Sequence, residues 1–376
     1  MPRRYIEIES YDEYVAYASQ HALLRYCAFQ GIDFTLSSVY QSCTFEECLF
    51  MGCRIPPDMQ EGLSCSCVVI PCFDVPFEVF PSALYTADTL YNGYIPHDVS
   101  SYAGCYDARV YNHYLAQGKT TKNIRESLAR TLHDHSISDA LHDLLEGYDE
   151  RDIVAVMGGH SLLRTDECYL KVARISRRLT EQGALVVSGG GPGAMEATHL
   201  GAYMAHRSDD DLLKAVQMLA VAPSYKDEAW LDTALDVMQA YPRQATTHDI
   251  GVPTWFYGHE PATPFAAHIA KYFDNSIRED GLLAIAKGGV IFAPGSAGTM
   301  QEIFQDAAQN HYETFGYASP MIFLDTQYWA EQMPVYPFLQ HLIERGKYRN
   351  LILSQAEDVE GVERALREWR NRYLIP

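Results

Sequence analysis

Basic residues are scarce in this chain: 29 Lys and Arg stand against 49 Asp and Glu, a formal net charge of −20 over 376 residues. Both ends share the deficit, about −12 over residues 1–150 and about −8 over the rest. Neither part offers the basic footprint that a phosphate backbone requires, so nucleic acid is excluded as the expected partner. Long apolar runs are also missing. No stretch approaches the ~18 uninterrupted apolar residues of a membrane span. The opening MPRRYIEIESYDEY has no apolar h-region, so no membrane partner and a cytoplasmic location are the expectations. No glycine turn continues into G-K-[ST], which removes a P-loop. Cysteine is nearly absent beyond Cys105, with Cys168 alone after it. In a cytosolic chain the other eight read as reduced thiols rather than a disulfide framework.

Apolar content of 47% is ample for a large core, and the length suggests two domains. Residues 1–145 read as an accessory domain, mixed in character. Within QSCTFEECLFMGCRI, Cys43-x-Phe45, Cys48-x-Phe50 and Cys53-x-Ile55 recur every five residues. This is similar to a pentapeptide repeat, whose small and large apolar side chains alternate into the core of a β-coil. Three matches make about one coil, and the cysteines read as core packing rather than metal ligands. Cys65-x-Cys67 reads as one face of a strand. Residues 56–105 look like loops and short strands. Helical patterns follow in YDARVYNHYLAQG, TKNIRESLARTLHDH and SISDALHDLLEGY, with Gly118 and Gly147 as stops. His133, His135 and His142 share no clean helical stripe, so a solvated polar face is expected and no metal site.

Residues 146–376 read differently. DIVAVMGG (152–159) is a buried strand meeting a turn. A helix from about Asp166 to Gln182 follows, then strand ALVVSGGG (184–191) and helix AMEATHLGAYMAH (194–206). VQMLAVAP (216–223) reads as a third strand, WLDTALDVMQAY as a helix and PTWFYG as strand or loop. Residues 265–286 read as a helix with a break near Asn275. GGVIFAPGSAGT enters a turn, MQEIFQDAAQNHYE is its helix, and SPMIFLD is a final strand. Alternation of this kind predicts an α/β fold, a Rossmann-like doubly wound parallel sheet.

Such sheets bind ligands where strands turn into helices. A helix N-terminus presents unpaired N–H groups and partial positive charge, which suits a phosphate. Gly189-Gly190-Gly191-Pro192-Gly193 and Pro294-Gly295-Ser296-Ala297-Gly298-Thr299 both have this character. Ser296 and Thr299 add hydroxyl donors. The first turn also matches G-x-G-x-x-A, a weak match because it follows the second strand rather than the first.

Taken together and in order, MGGHS, VVSGGGPGAMEA and APGSAGTMQE resemble the LONELY GUY family, proteins long mislabelled as lysine decarboxylases. The family motif is PGGxGTxxE with an arginine before it. PGSAGTMQE (294–302) matches every fixed position except Ser296, and Arg278 stands sixteen residues upstream of Pro294. The resemblance covers roughly residues 150–330, and the long stretch 223–264 is more like the larger nucleotide nucleosidases of the family. A decarboxylase would need a Schiff-base lysine, and Lys171, Lys214, Lys226, Lys271 and Lys287 sit in no supporting motif.

The resemblance implies cleavage of the N-glycosidic bond of nucleoside 5′-monophosphates, AMP or a relative, to free base and ribose 5-phosphate. It implies no cofactor, and a homo-oligomer. Glu302 and Arg278 become the catalytic candidates. Gly158, Gly159, Ser161, Gly189, Gly190, Gly191, Gly193, Met195, Gly295, Ser296, Ala297, Gly298 and Thr299 become the substrate-binding ones. Glu302 lies one helical turn beyond Thr299 and can orient or deprotonate water against an oxocarbenium-like sugar. Arg278 can bind phosphate, bridge to Glu302 or stabilise the departing base. Ser296 is expected to alter the loop shape and lend its Oγ to the phosphate, the alternative being an ordinary φ there. Base specificity points to residues 223–264, with Lys226, Arg243, Trp255 and His259 as candidates. A nucleotide-sensing module that binds without turnover is the competing reading.

Overall fold

The computed structural model describes residues 4–373, arranged as two compact units. One contains the residues up to Leu84 together with Asn112–His142; the other contains Tyr85–Tyr111 and the chain from Asp143 onward. The chain therefore crosses between units three times, whereas the sequence suggested one cut at 145. Residues 85–111 belong with the sheet because they are bonded into it. Tyr85 and Ile269 exchange backbone bonds across an antiparallel bridge, and Tyr91 Oη donates to Ala262 O.

The smaller unit is a short parallel coil. Its elements are β1 (Ile6–Ile8), α1 (Tyr11–Ala18), β2 (Leu23–Arg25), β3 (Cys27–Gln30), β4 (Thr44–Glu46), β5 (Leu49–Met51), α2 (Pro57–Gly62) and β6 (Val68–Ile70). Strands β1, β3, β5 and β6 form one parallel sheet, and β2 pairs with β4 in another. The coil thus runs well beyond the three cysteine repeats in both directions. Phe29, Phe34, Phe45 and Phe50 stack in its centre. The cysteines pack as anticipated and also tie coil to coil. Cys48 Sγ donates to Leu24 O at 3.2 Å, Cys53 Sγ to Phe29 O at 3.3 Å and Cys72 Sγ to Gly52 O at 3.1 Å. Cys65 and Cys67 precede β6 rather than lying on it, because the chain turns through Ser64–Ser66 first. His133 is fully buried and bonded to Asp134 at 2.9 Å, contrary to a solvated face. The reason is an edge-on contact with the Phe77 ring that removes it from water.

Helices α3 (Ala87–Leu90), α4 (Tyr106–Gln117) and α5 (Ile124–Leu145) lead into the sheet, α5 running unbroken where the pattern suggested two pieces. Then come β7 (Ile153–Met157), α6 (Glu167–Glu181), β8 (Leu185–Ser188), α7 (Ala194–Tyr203), α8 (Asp209–Leu219), α9 (Trp230–Ala240), β9 (Asp249–Gly251) and β10 (His268–Ile269). They are followed by α10 (Asn275–Ile285), β11 (Gly289–Phe292), α11 (Ala297–Tyr312), β12 (Pro320–Leu324), α12 (Val335–Glu344), β13 (Ile352–Ala356) and α13 (Val359–Tyr373). Seven parallel strands lie in the order β10-β9-β8-β7-β11-β12-β13. This is a Rossmann-like α/β fold, with β7 at the centre and the winding direction reversing between β7 and β11. The strands are buried throughout β7, β8, β11 and β12, as a sheet covered on both faces demands.

Several elements differ from the pattern reading. Residues 216–219 complete α8, capped by Ser208, instead of starting a strand; Leu212, Ala215 and Leu219 recur at helical spacing and are buried. The third strand is β9, only three residues long. Residues 265–274 hold β10 and a turn, so the helix starts at Asn275, capped by the Asp274 side chain. PTWFYG contains a single 3₁₀ turn, Trp255–Tyr257. SPMIFLD is followed by a further strand, β13, in-register beside it. Among the described residues, no helix is long and apolar enough to cross a membrane.

Candidate active site

The reversal between β7 and β11 opens a crevice at the carboxyl ends of the strands, where ligands bind in sheets of this order. Three turns meet there, because Gly159 bonds to both of its neighbours. Its N–H donates to Pro294 O at 3.0 Å, and its carbonyl accepts from Ala194 N at 3.1 Å. A side chain on Gly158 would meet Ala194 Cβ at 2.6 Å, so the turn after β7 sits tightly between the other two. Gly193 has φ of +72°, and a Cβ there would strike Gly159 O and His160. Only glycine satisfies both conditions. The sequence-derived set Gly158, Gly159, Gly189, Gly190, Gly191, Gly193 and Gly295 is therefore brought together, with Met195 and Arg278 over it. Ser161 is exposed, with its Oγ 3.8 Å from the place a side chain on Gly159 would take.

Arg278 extends from the first turn of α10 to the second strand's turn. Its Nε donates to Val252 O at 2.8 Å. Its Nη2 lies against Gly189, at the position a side chain there would occupy, beside Met195 Sδ. Glu302 sits one turn into α11, half-buried. Burial pushes its carboxyl up to about 7, against the pull of the Arg278 guanidinium and with a further push from Glu279. A carboxyl poised near neutrality beside an arginine is suited to proton transfer at physiological pH.

The turn after β11 has a different texture. Ser296, Ala297 and Gly298 are exposed and Thr299 is buried. They form the start of α11, whose cap position Ser296 makes no side-chain capping bond, and the first amides of any helix lack intrahelical acceptors. Ser296 has φ of −114°, ordinary for an L residue. The φ is thus the ordinary one of the two alternatives drawn from the missing glycine, while the ψ of −135° lies outside the helical and extended regions. Tyr328 Oη donates to Gly295 O at 2.6 Å and holds this turn from the side of β12.

The stretch 223–264 contributes unevenly. Trp255 is fully buried, its Nε1 donating to Asp107 Oδ1 at 2.8 Å next to the buried Lys271–Asp107 pair at 2.6 Å. Arg243 pairs with buried Asp249 at 3.1 Å. Neither is placed to read a base. Glu260 instead stands near the crevice, 3.5 Å from His160 and 3.8 Å from His259. Lys226 lies over the Tyr225 ring.

Pattern reading missed two buried clusters. Glu196, in the first turn of α7, takes a bidentate bond from Arg164 (2.9 and 2.5 Å) and another from Tyr169 Oη at 3.0 Å. Arg164 also donates to Ala222 O, Trp230 O and Thr233 Oγ1, locking α7 to the loop before α9. The second cluster joins Ser188, His199, Asp249 and Arg243. Glu196 had a readable signal, an acid just inside a helix start. The second cluster had none, since its members are spread over 188–249.

The fold and site define a Rossmann-like α/β unit with three glycine turns converging on one crevice. Among solved structures it is similar to the molybdenum cofactor binding protein from the phototrophic bacterium Rippkaea orientalis, with 13% identity over 57% of this chain and 95% of that one, TM-score 0.35. It is also similar to the structural-genomics target TM1055, with 20% identity over 57% and 99%, TM-score 0.37. The molybdenum cofactor carrier protein from Chlamydomonas reinhardtii matches at 14% identity over 58% and 98%, TM-score 0.35. Likeness at this level bears on neither ligand nor reaction. No protein-family model and no curated protein matches the chain.

Proposed function

We propose that this chain hydrolyses the N-glycosidic bond of nucleoside 5′-monophosphates, releasing the free base and ribose 5-phosphate. The observation that carries the reading is Glu302: a carboxyl raised to about 7, facing Arg278, on a helix whose exposed N-terminus borders the crevice. In this scheme the amides of Ser296–Thr299 take the 5′-phosphate. The base leaves C1′ with the bonding electron pair and takes up a proton. Glu302 as carboxylate accepts a proton from water while the water oxygen bonds to C1′, so one water is consumed per bond cleaved. Arg278, fixed by Val252 O, covers the sugar side and holds Glu302 ionised through part of the cycle. The resemblance in sequence adds an expected homo-oligomer, which sedimentation would test.

The direct test is release of free base from a panel of AMP, GMP, CMP, UMP, IMP and a cytokinin nucleotide. Release from at least one, abolished by Glu302→Ala with the fold retained, is the expected result. Release from none sinks the reaction. Thermal stabilisation by a nucleotide without product would favour a sensing module in its place.

A further inference from the structure

Behind the Gly189–Gly193 turn lies a chain of side chains that no part of the reaction above uses. Ser188 is the last residue of β8, His199 is in the middle of α7, and Asp249 opens β9; all three are fully buried. His199 Nδ1 donates to Asp249 Oδ2 at 2.5 Å, which leaves Nε2 to accept from Ser188 Oγ at 2.7 Å. The Ser188 Oγ in turn accepts from Gly190 N at 3.3 Å. At the other end, Asp249 Oδ1 accepts from Arg243 Nη1 and from Ala267 N, both at 3.1 Å. Burial pushes the Asp249 carboxyl up, yet the Arg243 charge and the His199 bond outweigh it, so the group stays below its ordinary value and ionised. Arg243 is itself pinned by Phe265 O.

The geometry is that of a Ser-His-Asp triad, but the serine is closed to solvent and cannot attack a substrate. What it touches is the site's backbone. Gly190 has φ of +68° and packs on Val252 and Pro253, and its carbonyl accepts from Thr263 N at 2.9 Å. Val252 donates its N–H to Ser188 O at 2.8 Å, and its carbonyl is the acceptor that fixes Arg278. Ser188 therefore holds the turn at Gly190 through its hydroxyl, and its backbone carbonyl holds Val252, whose own carbonyl seats the arginine.

Resting on the proposed reaction, we infer that Arg243–Asp249–His199–Ser188 is a positioning relay that sets the Gly189–Gly191 turn and the seat of Arg278 for substrate binding. An apolar replacement of such a buried ionic group is often neutral for stability, so stability alone gives no reason for its being there. Its function is conformational: the aspartate selects the histidine tautomer, the tautomer orients the serine hydroxyl, and the hydroxyl fixes the glycine amide.

The test uses three variants of the full chain and two readouts. In His199→Gln the side-chain amide reaches the place of Nε2 and keeps the Ser188 contact; in His199→Asn it reaches only the place of Nδ1. Ser188→Ala removes the hydroxyl. Ser188→Ala and His199→Asn are expected to raise KM for the cleaved monophosphate about three- to tenfold with kcat little changed, the scale of one lost hydrogen bond. Hydrogen exchange of the Gly190 amide should quicken by about the same factor. His199→Gln, which keeps the Ser188 contact but loses that to Asp249, should fall between wild type and His199→Asn in both. A merely structural role would move all three variants alike, and equal shifts, or none, overturn the relay. Should the variants not fold, the wild-type chain decides: a Gly190 amide exchanging as fast as that of exposed Gly298 overturns it. Exchange needs no turnover, so a chain that cleaves no nucleotide would refute the reaction while the relay is judged on exchange alone.

Discussion

The two glycine turns that flank the crevice are built in opposite ways. Gly189–Gly193 is wholly buried, contains two positive-φ glycines and is held from beneath by Ser188 and from above by Arg278. Residues 296–298 are exposed, have no positive φ and are tied mainly through Tyr328 to Gly295 O and Gly159 N to Pro294 O. The first turn is shaped by packing and the second by its open helix end. Under the proposed reaction, the rigid turn would fix the substrate's position while the open helix end meets its charge. The contrast also separates the consequences of mutation: a side chain forced into the first turn should appear as lost stability, and a change at Glu302 beside the second as lost chemistry.

The largest expected effect is on chemistry. Glu302→Gln keeps the shape but removes the base, and kcat for base release should fall about 10²–10⁴-fold with KM little changed. Steady-state kinetics on the cleaved nucleotide check this; a rise in KM with kcat unchanged would place Glu302 in binding instead. On the burial side, Gly193→Ala combines φ of +72° with a collision against Gly159 O, and should destabilise the chain by about 1–3 kcal/mol in urea unfolding. Gly298→Ala meets nothing within 4 Å and should stay within about 0.5 kcal/mol. Equal losses at the two glycines would erase the contrast.

Asp306, one turn beyond Glu302 and 4% exposed, has an Oδ2 with no hydrogen-bond partner among the described residues. Burial pushes its carboxyl up to about 8. A carboxyl whose folded value is raised binds its proton more tightly in the folded state, so its contribution to stability is complete at acid pH and lost as pH rises from about 4 toward 8. Asp306→Asn should therefore remove a loss of stability that builds up between about pH 4 and pH 8, by about 1–3 kcal/mol at the upper end. Melting temperatures measured against pH check it, a variant as pH-sensitive as wild type being the contrary result. A smaller effect than that of Asp306 belongs to Tyr328→Phe, which loses one bond to Gly295 O, about 0.5–1.5 kcal/mol in unfolding or a severalfold rise in KM.

How much of this was legible in sequence follows from the range of each signal. Strand, glycine turn and helix are local, so DIVAVMGG, ALVVSGGG and GGVIFAPGSAGT were placed correctly and their convergence could be anticipated from the parallel order. VQMLAVAP was misplaced because a short apolar run reads alike as buried strand or as the end of a buried helix. Strands β9 and β10 are two or three residues long, too short for any periodicity, and β13 reads ILSQA, too polar to stand out. The Cys-x-Phe period was visible, but the coil around it depends on pairings such as Ala28 with Leu49, whose partners share no local pattern. The His199–Asp249 bond spans 50 residues, and each member alone looks ordinary. Ser296 was over-read because a motif mismatch carries no information about φ.

The decisive measurement is the pH dependence of kcat/KM for base release between about pH 5 and 9, which reads the groups of the free protein. If Glu302 must be ionised to accept water's proton, the rate rises with pH along a limb centred near 7 and the limb disappears in Glu302→Gln. A profile that is flat across this range, or a limb that survives the substitution, would contradict the account.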